Sequence, residues 1–246
     1  MARIPNFSPH LSALVTCAFL SAPIYGVNAA SIVVPNFSFE SLVYGDGGYD
    51  FVVPSWIGTS SGSGSNYGIY NPLDDDFAGS SGGGSVPSPA IGEQAAFMHL
   101  DPSGTVSLTT ATAFTSILAD TSYTLTVALG SRNLLPGSST GMVTLSLLAN
   151  GVLIPGASIT ITPDSVTIPL GTFADFSTSF TTDSSTLLIG QDLTASVTYS
   201  ATTVSQVLLD NVRVDAFTVP EPSTTLVGVI SVLGLVVRRI RNDRTG

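Results

Sequence analysis

The chain of 246 residues has no lysine, one cysteine and two histidines, and only 10% of its residues are charged. A soluble domain ordinarily carries roughly 25%. Seven arginines stand against 17 carboxylates, a formal charge of −10. The cations that displace phosphate counterions are missing, which excludes nonspecific nucleic-acid binding. No apolar run reaches the roughly 20 residues of a permanent membrane span. The single cysteine, Cys17, precedes the main body of the chain. That body can therefore form no disulfide, thiolate metal site or cysteine nucleophile. It has no histidine pair for zinc, no phosphate loop and no dinucleotide fingerprint.

What is present begins with the two ends. Arg3, the apolar run Leu11–Leu20 and the small residues around Val27 and Ala29 are the three parts of a secretory signal peptide. The expected signal is residues 1–29, with export through the inner membrane. At the other end come Val219, Pro220, Glu221 and Pro222, then an apolar segment at 225–237, then Arg238, Arg239, Arg241 and Arg244. A helix of that length falls short of the ~30 Å hydrocarbon core. The arginines would hold its end on the cytoplasmic side. This order resembles the PEP-CTERM sorting signal of Gram-negative bacteria, over residues 219–246. The resemblance implies a transmembrane sorting helix cut by an exosortase, after signal peptidase has removed the leader. It also implies a place at the cell surface or outside the cell, in an exopolysaccharide or biofilm-type matrix.

Between these ends, 30–218 reads as one ectodomain. It keeps only Arg132 and Arg213 against 15 carboxylates, so its charge is near −13. Residues 101–200 hold 20 threonines, and short alternating runs recur where helix signals are absent. Tyr123, Leu125, Val127 and Leu129 fall on one face of a strand. Further strands are expected at Met142–Leu148, Ser158–Ile161, Val166–Ile168, Phe176–Phe180, Leu187–Ile189, Ala195–Tyr199 and Val207–Val214. Turns are expected at Pro136-Gly137, Asn150-Gly151, Pro155-Gly156 and Asp183-Ser184. The fold class is all-β, an antiparallel β-sandwich. The Gly/Ser-rich stretch 58–89 reads as surface loops.

Asn36–Glu40, Pro54–Trp56, Gly68–Pro72, Ala95–Phe97, Tyr123–Leu125 and Leu209–Val212 are similar to a galactose-binding-domain-like jelly roll, the framework of many carbohydrate-binding modules. That resemblance implies a structural Ca²⁺ joining the first and last strands through Glu40 and Asp210. Independently, Leu208, Asp210, Val212 and Val214 alternate on one apolar face, and a carboxylate there needs partners. Calcium takes six to eight oxygens, and Asp46 and Asp50 are further candidates. Asp74–Asp76 reads as a solvated acidic loop. Trp56, Tyr67 and Tyr70 are candidate sugar-stacking rings.

Catalytic signals are weak. Gly58–Gly62 and Gly79–Gly83 fit Gly-x-Ser-x-Gly but lack the strand–turn–helix setting it requires. His99 can serve as a base, yet its strand-like surroundings read as structural. The expectation is a noncatalytic surface or matrix protein that binds glycan. A polysaccharide hydrolase or lyase on the same sandwich, and a structural component without ligand, remain as alternatives.

Overall fold

The computed structural model describes residues 29–73, 75–77, 86–133 and 141–219. The expected signal peptide, up to residue 28, and the sorting signal from Pro220 onward lie outside them, as do Pro136-Gly137 and Gly79–Gly83. Thirteen strands form, and no helix appears among the described residues. They are β1 (Ala30–Ile32), β2 (Tyr49–Asp50), β3 (Trp56–Ser61), β4 (Asn66–Tyr70), β5 (Ala95–Leu100), β6 (Gly104–Thr110) and β7 (Thr115–Ser116). There follow β8 (Thr121–Ser131), β9 (Met142–Ala149), β10 (Val152–Ile161), β11 (Thr172–Thr181), β12 (Asp192–Ala201) and β13 (Ser205–Thr218).

The expected all-β antiparallel sandwich is what these strands build. One sheet runs β11-β8-β13-β5-β4-β2, with β1 added along β13. The other runs β10-β9-β12-β6-β3, with β7 beside β12. Alternation produces the core directly. Tyr123, Leu125, Val127 and Leu129 of β8 point inward, against Leu145, Leu147, Val197 and Tyr199 of the facing sheet. Asn150 and Gly151, with φ of 47° and 77°, make the β9–β10 hairpin turn. Two positive φ values in a two-residue loop match the right-handed twist of the strands.

Several local expectations are corrected. Val166–Ile168 and Leu187–Ile189 are turns. Asp164 Oδ1 accepts the N–H groups of Val166 and Thr167 at 3.1 and 2.7 Å, and Asp183 Oδ1 accepts that of Ser185 at 2.8 Å. These aspartate turns divert the backbone from a sheet ladder. Pro155-Gly156 sits inside β10, where the register slips between Leu153 and Ser158. The stretch 58–89 is not simply loop, since most of β3 and all of β4 fall within it. Its glycines concealed the pattern because they fill tight places in the sheet. A Cβ on Gly68 would lie 1.8 Å from the Asp50 carbonyl oxygen.

The last strand departs most instructively. Its pairing with β8 shifts between Asp210 and Arg213, and Asn211 has φ 46°. This bulge inverts the alternation. Val207, Leu209, Val212 and Val214 all enter the main core, whereas Leu208 joins a second cluster on the sheet's outer face. Asp210 therefore does not share a face with Val212 and Val214.

Candidate functional site

The outer face of the longer sheet carries the site. Register places Gly68, Phe97, Leu208, Gly130 and Phe173 in one row across β4, β5, β13, β8 and β11. A Cβ on Gly130 would meet the Phe173 ring at 2.5 Å, so the glycine lets that ring lie over the sheet. Phe173 packs against Phe77 with the rings tilted by 40° and centroids 5.3 Å apart, and Tyr70, Val86 and Ala90 complete this apolar patch.

The next row holds polar groups. His99 pairs with Asn66 on one side and Gln206 on the other. These three, with Arg132, Tyr70, Phe97, Tyr49 and Phe51, line a cleft of about 390 Å³. Its aromatic wall is continuous. Tyr49 and Phe51 meet edge to face at 5.5 Å, and Phe51 meets Phe97 at 6.2 Å. Tyr49 and Phe51 remain 60% and 53% exposed, an open aromatic surface in position to receive a flat ring.

A buried ion pair closes the other side. Asp76 is fully buried, and its Oδ1 accepts from Arg132 Nε at 2.9 Å. Its Oδ2 accepts from the Tyr70 hydroxyl at 2.5 Å and the Leu73 N–H at 3.0 Å. Arg132 Nη1 donates to Gln206 Oε1 at 3.2 Å, and the guanidinium lies 4.6 Å above the Tyr70 ring. Burial, reinforced by the hydrogen bond to Asp76, pushes the Tyr70 hydroxyl up to about 12. Tyr70 therefore serves as a donor and not as a base. The His99 side chain makes no hydrogen bond among the described residues. It is half-exposed in the cleft, although its strand setting read as structural.

The remaining predicted residues lie elsewhere. Trp56 fills the main core against Phe39 at 5.6 Å. Tyr67 also turns toward that core, and its hydroxyl donates to the Gly58 carbonyl at 2.9 Å. Only Tyr70 of the three proposed rings reaches the cleft. Asp76 is no solvated loop acid, because Arg132 holds it inside; Asp74 lies outside the described residues.

Glu40 and Asp210 do converge, on the segment 91–94. Glu40 Oε1 accepts the N–H groups of Glu93 and Gln94 at 2.9 and 2.8 Å. Asp210 Oδ2 accepts that of Ile91 at 2.6 Å. Burial pushes the Asp210 carboxyl up to about 8, and Glu40 adds to this, against the lowering N–H donors of Ile91 and Asn211. Asp210 Oδ1 and Asn211 Oδ1 are buried without partners, which suits an oxygen-seeking cation. No three His, Cys, Asp or Glu side chains gather among the described residues. Further ligands would have to be carbonyl or amide oxygens.

The residues missed from sequence are Arg132, Gln206, Asn66 and Phe51. One signal for Arg132 was available. An ectodomain with two cations among 15 carboxylates has few to spare for solvent.

Known structures share the sandwich. The Stig cyclase Fisc from Fischerella sp. TAU, in complex with (3Z)-3-(1-methyl-2-pyrrolidinylidene)-3H-indole, is 22% identical. It aligns over 78% of this chain and 100% of its own, with a TM-score of 0.63. A cyclase from Fischerella sp. TAU in complex with 4-(1H-indol-3-yl)butan-2-one is 21% identical over 78% and 100% of the two chains, with a TM-score of 0.57. At these identities the likeness establishes the fold. The carbohydrate-binding module TmCBM61, in complex with β-1,4-galactotriose, lies further off. It is 12% identical over 75% of this chain and 97% of its own, with a TM-score of 0.47. No curated protein sequence matches the chain.

The expectation of a noncatalytic matrix or glycan-binding protein is overturned by the family comparison, and the hydrolase or lyase alternative gains no support from it. Residues 30–215 match the family model HpiC1-like, described as HpiC1 cyclase, and the chain belongs to this family.

Proposed function

We propose that this protein is a cyclase whose active site is the aromatic cleft over the longer sheet, with His99 as its proton relay. The observation that carries this reading is a histidine whose imidazole has no hydrogen-bond partner among the described residues, set among Tyr49, Phe51, Phe97 and Tyr70 in a cyclase-family chain. An intramolecular ring closure that starts with protonation and ends with deprotonation is redox-neutral. Imidazole can donate from one nitrogen and accept on the other, so one residue serves both steps. The aromatic wall would fold an unsaturated chain back on its own ring, which lowers the entropic part of the barrier. The indole ligands of the structural neighbours suit such a wall.

The test is incubation with indoles that carry unsaturated C3 side chains, followed by chromatography and mass spectrometry. The expected product has the mass of its substrate and one more ring. His99→Ala should lower turnover by about 10²-fold or more while leaving the fold intact. Undiminished turnover in His99→Ala counts against the relay.

The calcium expected at Glu40 and Asp210 belongs to the same proposal as a structural ion. It is supported by the unpartnered Asp210 Oδ1 and Asn211 Oδ1. Ligands that bind only the folded chain raise its melting temperature. Calcium should therefore raise Tm, EDTA should reverse the rise, and Glu40→Gln should abolish it. An unchanged Tm after metal stripping and calcium addition removes the site from the reading. Export and exosortase sorting also stay in the proposal, supported by the sequence of the two ends.

A further inference from the structure

We propose that Arg132 determines specificity by holding a carbonyl oxygen, so that the ligand of the cleft is an uncharged aromatic molecule with a ketone- or amide-type acceptor. This rests on the reading of the cleft as the substrate site. Arg132 is the one cation among the lining residues. The other cation of the ectodomain, Arg213, pairs with Asp175 at 2.5 Å. Arg132 is fixed on three sides. Nε is held by Asp76, Nη1 by Gln206, and its flat face lies over Tyr70. Nη2 makes no hydrogen bond among the described residues. A guanidinium fixed this way offers its remaining N–H groups with little further loss of side-chain entropy.

Charge selects a neutral acceptor over an anion. Asp76, fully buried at 2.9 Å, already balances the guanidinium. The lining amides of Asn66 and Gln206 carry no charge. The surrounding domain carries 15 carboxylates, which would repel an incoming anion. A carbonyl takes the Nη2 hydrogen bond and brings no charge into the cleft. The ring would lie on Tyr49, Phe51 and Phe97, with the oxygen directed toward Arg132.

The experiment measures binding of three probes with one phenyl ring and one chain length to the intact protein by ligand-observed NMR. They are 4-phenylbutan-2-one, butylbenzene and 4-phenylbutanoate. Arg132→Gln should weaken the ketone about tenfold, the worth of a hydrogen bond to a charged donor, and leave butylbenzene within about twofold by the same scale. In the wild type, the ketone should bind more tightly than the carboxylate. Equal losses for ketone and butylbenzene overturn the role of Arg132 while the aromatic cleft stands. Tighter binding of 4-phenylbutanoate overturns the neutral-acceptor assignment. If no probe binds the wild type, the aromatic cleft fails as the substrate site and this inference fails with it. Should Arg132→Gln not fold because Asp76 loses its partner, the double variant Asp76→Asn/Arg132→Gln removes both charges together, and the comparison of ketone with carboxylate needs no variant.

Discussion

On the outer face of the second sheet, Thr59, Ser107, Thr198, Thr144 and Thr160 stand in one row across five strands. Their hydroxyls bond one another, Ser107 to Thr198 at 3.0 Å and Thr144 to Thr160 at 3.1 Å. On the outer face of the longer sheet, the comparable row holds Gly68, Phe97, Leu208, Gly130 and Phe173, and a buried ion pair lies beside it. Both faces cover the same core. The first satisfies its polar groups within the sheet and with water, as the solvated side of an antiparallel sheet does. The second takes large rings and a carboxylate out of water, at a cost in desolvation that the core does not require. A sandwich stable with one hydroxyl face has no structural need for an aromatic second one. This contrast is why the cleft, and not the hydroxyl face, is the face proposed as the active site.

The largest break in the contrast should come from Asp76→Ala. It leaves Arg132 half-buried without its partner and frees the Tyr70 hydroxyl and Leu73 N–H. Breaking a buried pair from one side costs about 3–5 kcal/mol. Urea unfolding should show the midpoint falling with the slope unchanged. A loss below about 1 kcal/mol, the range of an exposed pair, would place the two faces on an equal footing.

The sandwich was legible because strand period is a local property. In the run from Tyr123 to Leu129, Tyr123, Leu125, Val127 and Leu129 alternate, and all four enter the main core. The two faces were not legible as opposites, for three physical reasons. The bulge after Asp210 inverts the parity of β13, so continuing the alternation past it assigns Asp210 the wrong neighbours. Strand β4 hides in Gly/Ser because its glycine lies against the Asp50 carbonyl. The cleft is assembled from Tyr70, Phe97 and Gln206, on three strands, and Arg132, just past the end of a fourth, and no sequence spacing connects them. Strand setting alone made His99 look structural, because an isolated strand does not reveal which of its faces water reaches.

A smaller effect sharpens the electrostatic half of the contrast. The Tyr70 hydroxyl stays protonated to about pH 12, against 10 for a free tyrosine. The folded chain therefore holds a proton between pH 10 and 12 that the unfolded chain releases. The stability linked to that proton is complete below pH 10 and is lost as pH rises through 12. Absorbance at 295 nm should show one tyrosine fewer ionising near pH 12 in Tyr70→Phe than in the parent chain. The alkaline loss of stability between pH 10 and 12 should also be shallower in the variant. A difference spectrum centred at pH 10 would mean that Tyr70 is open to water and is not held by Asp76.

The smallest expected effect is the control on the other face. Thr144→Val keeps the β-branched shape that suits a strand and removes one hydroxyl. Its partner Thr160 is exposed, so water can replace the lost bond. Substitutions at such sites usually stay within about 0.5 kcal/mol. Thermal unfolding of Thr144→Val beside Asp76→Ala measures the two faces on one scale. A hydroxyl row that yields less than about a sixth of the cleft's cost is a solvated surface and nothing more. A loss above about 1 kcal/mol, the worth of a net hydrogen bond, would mean that the Ser/Thr face is itself an ordered network. The aromatic face would then no longer be distinguished by its energetics, and only its chemistry would mark it as the site.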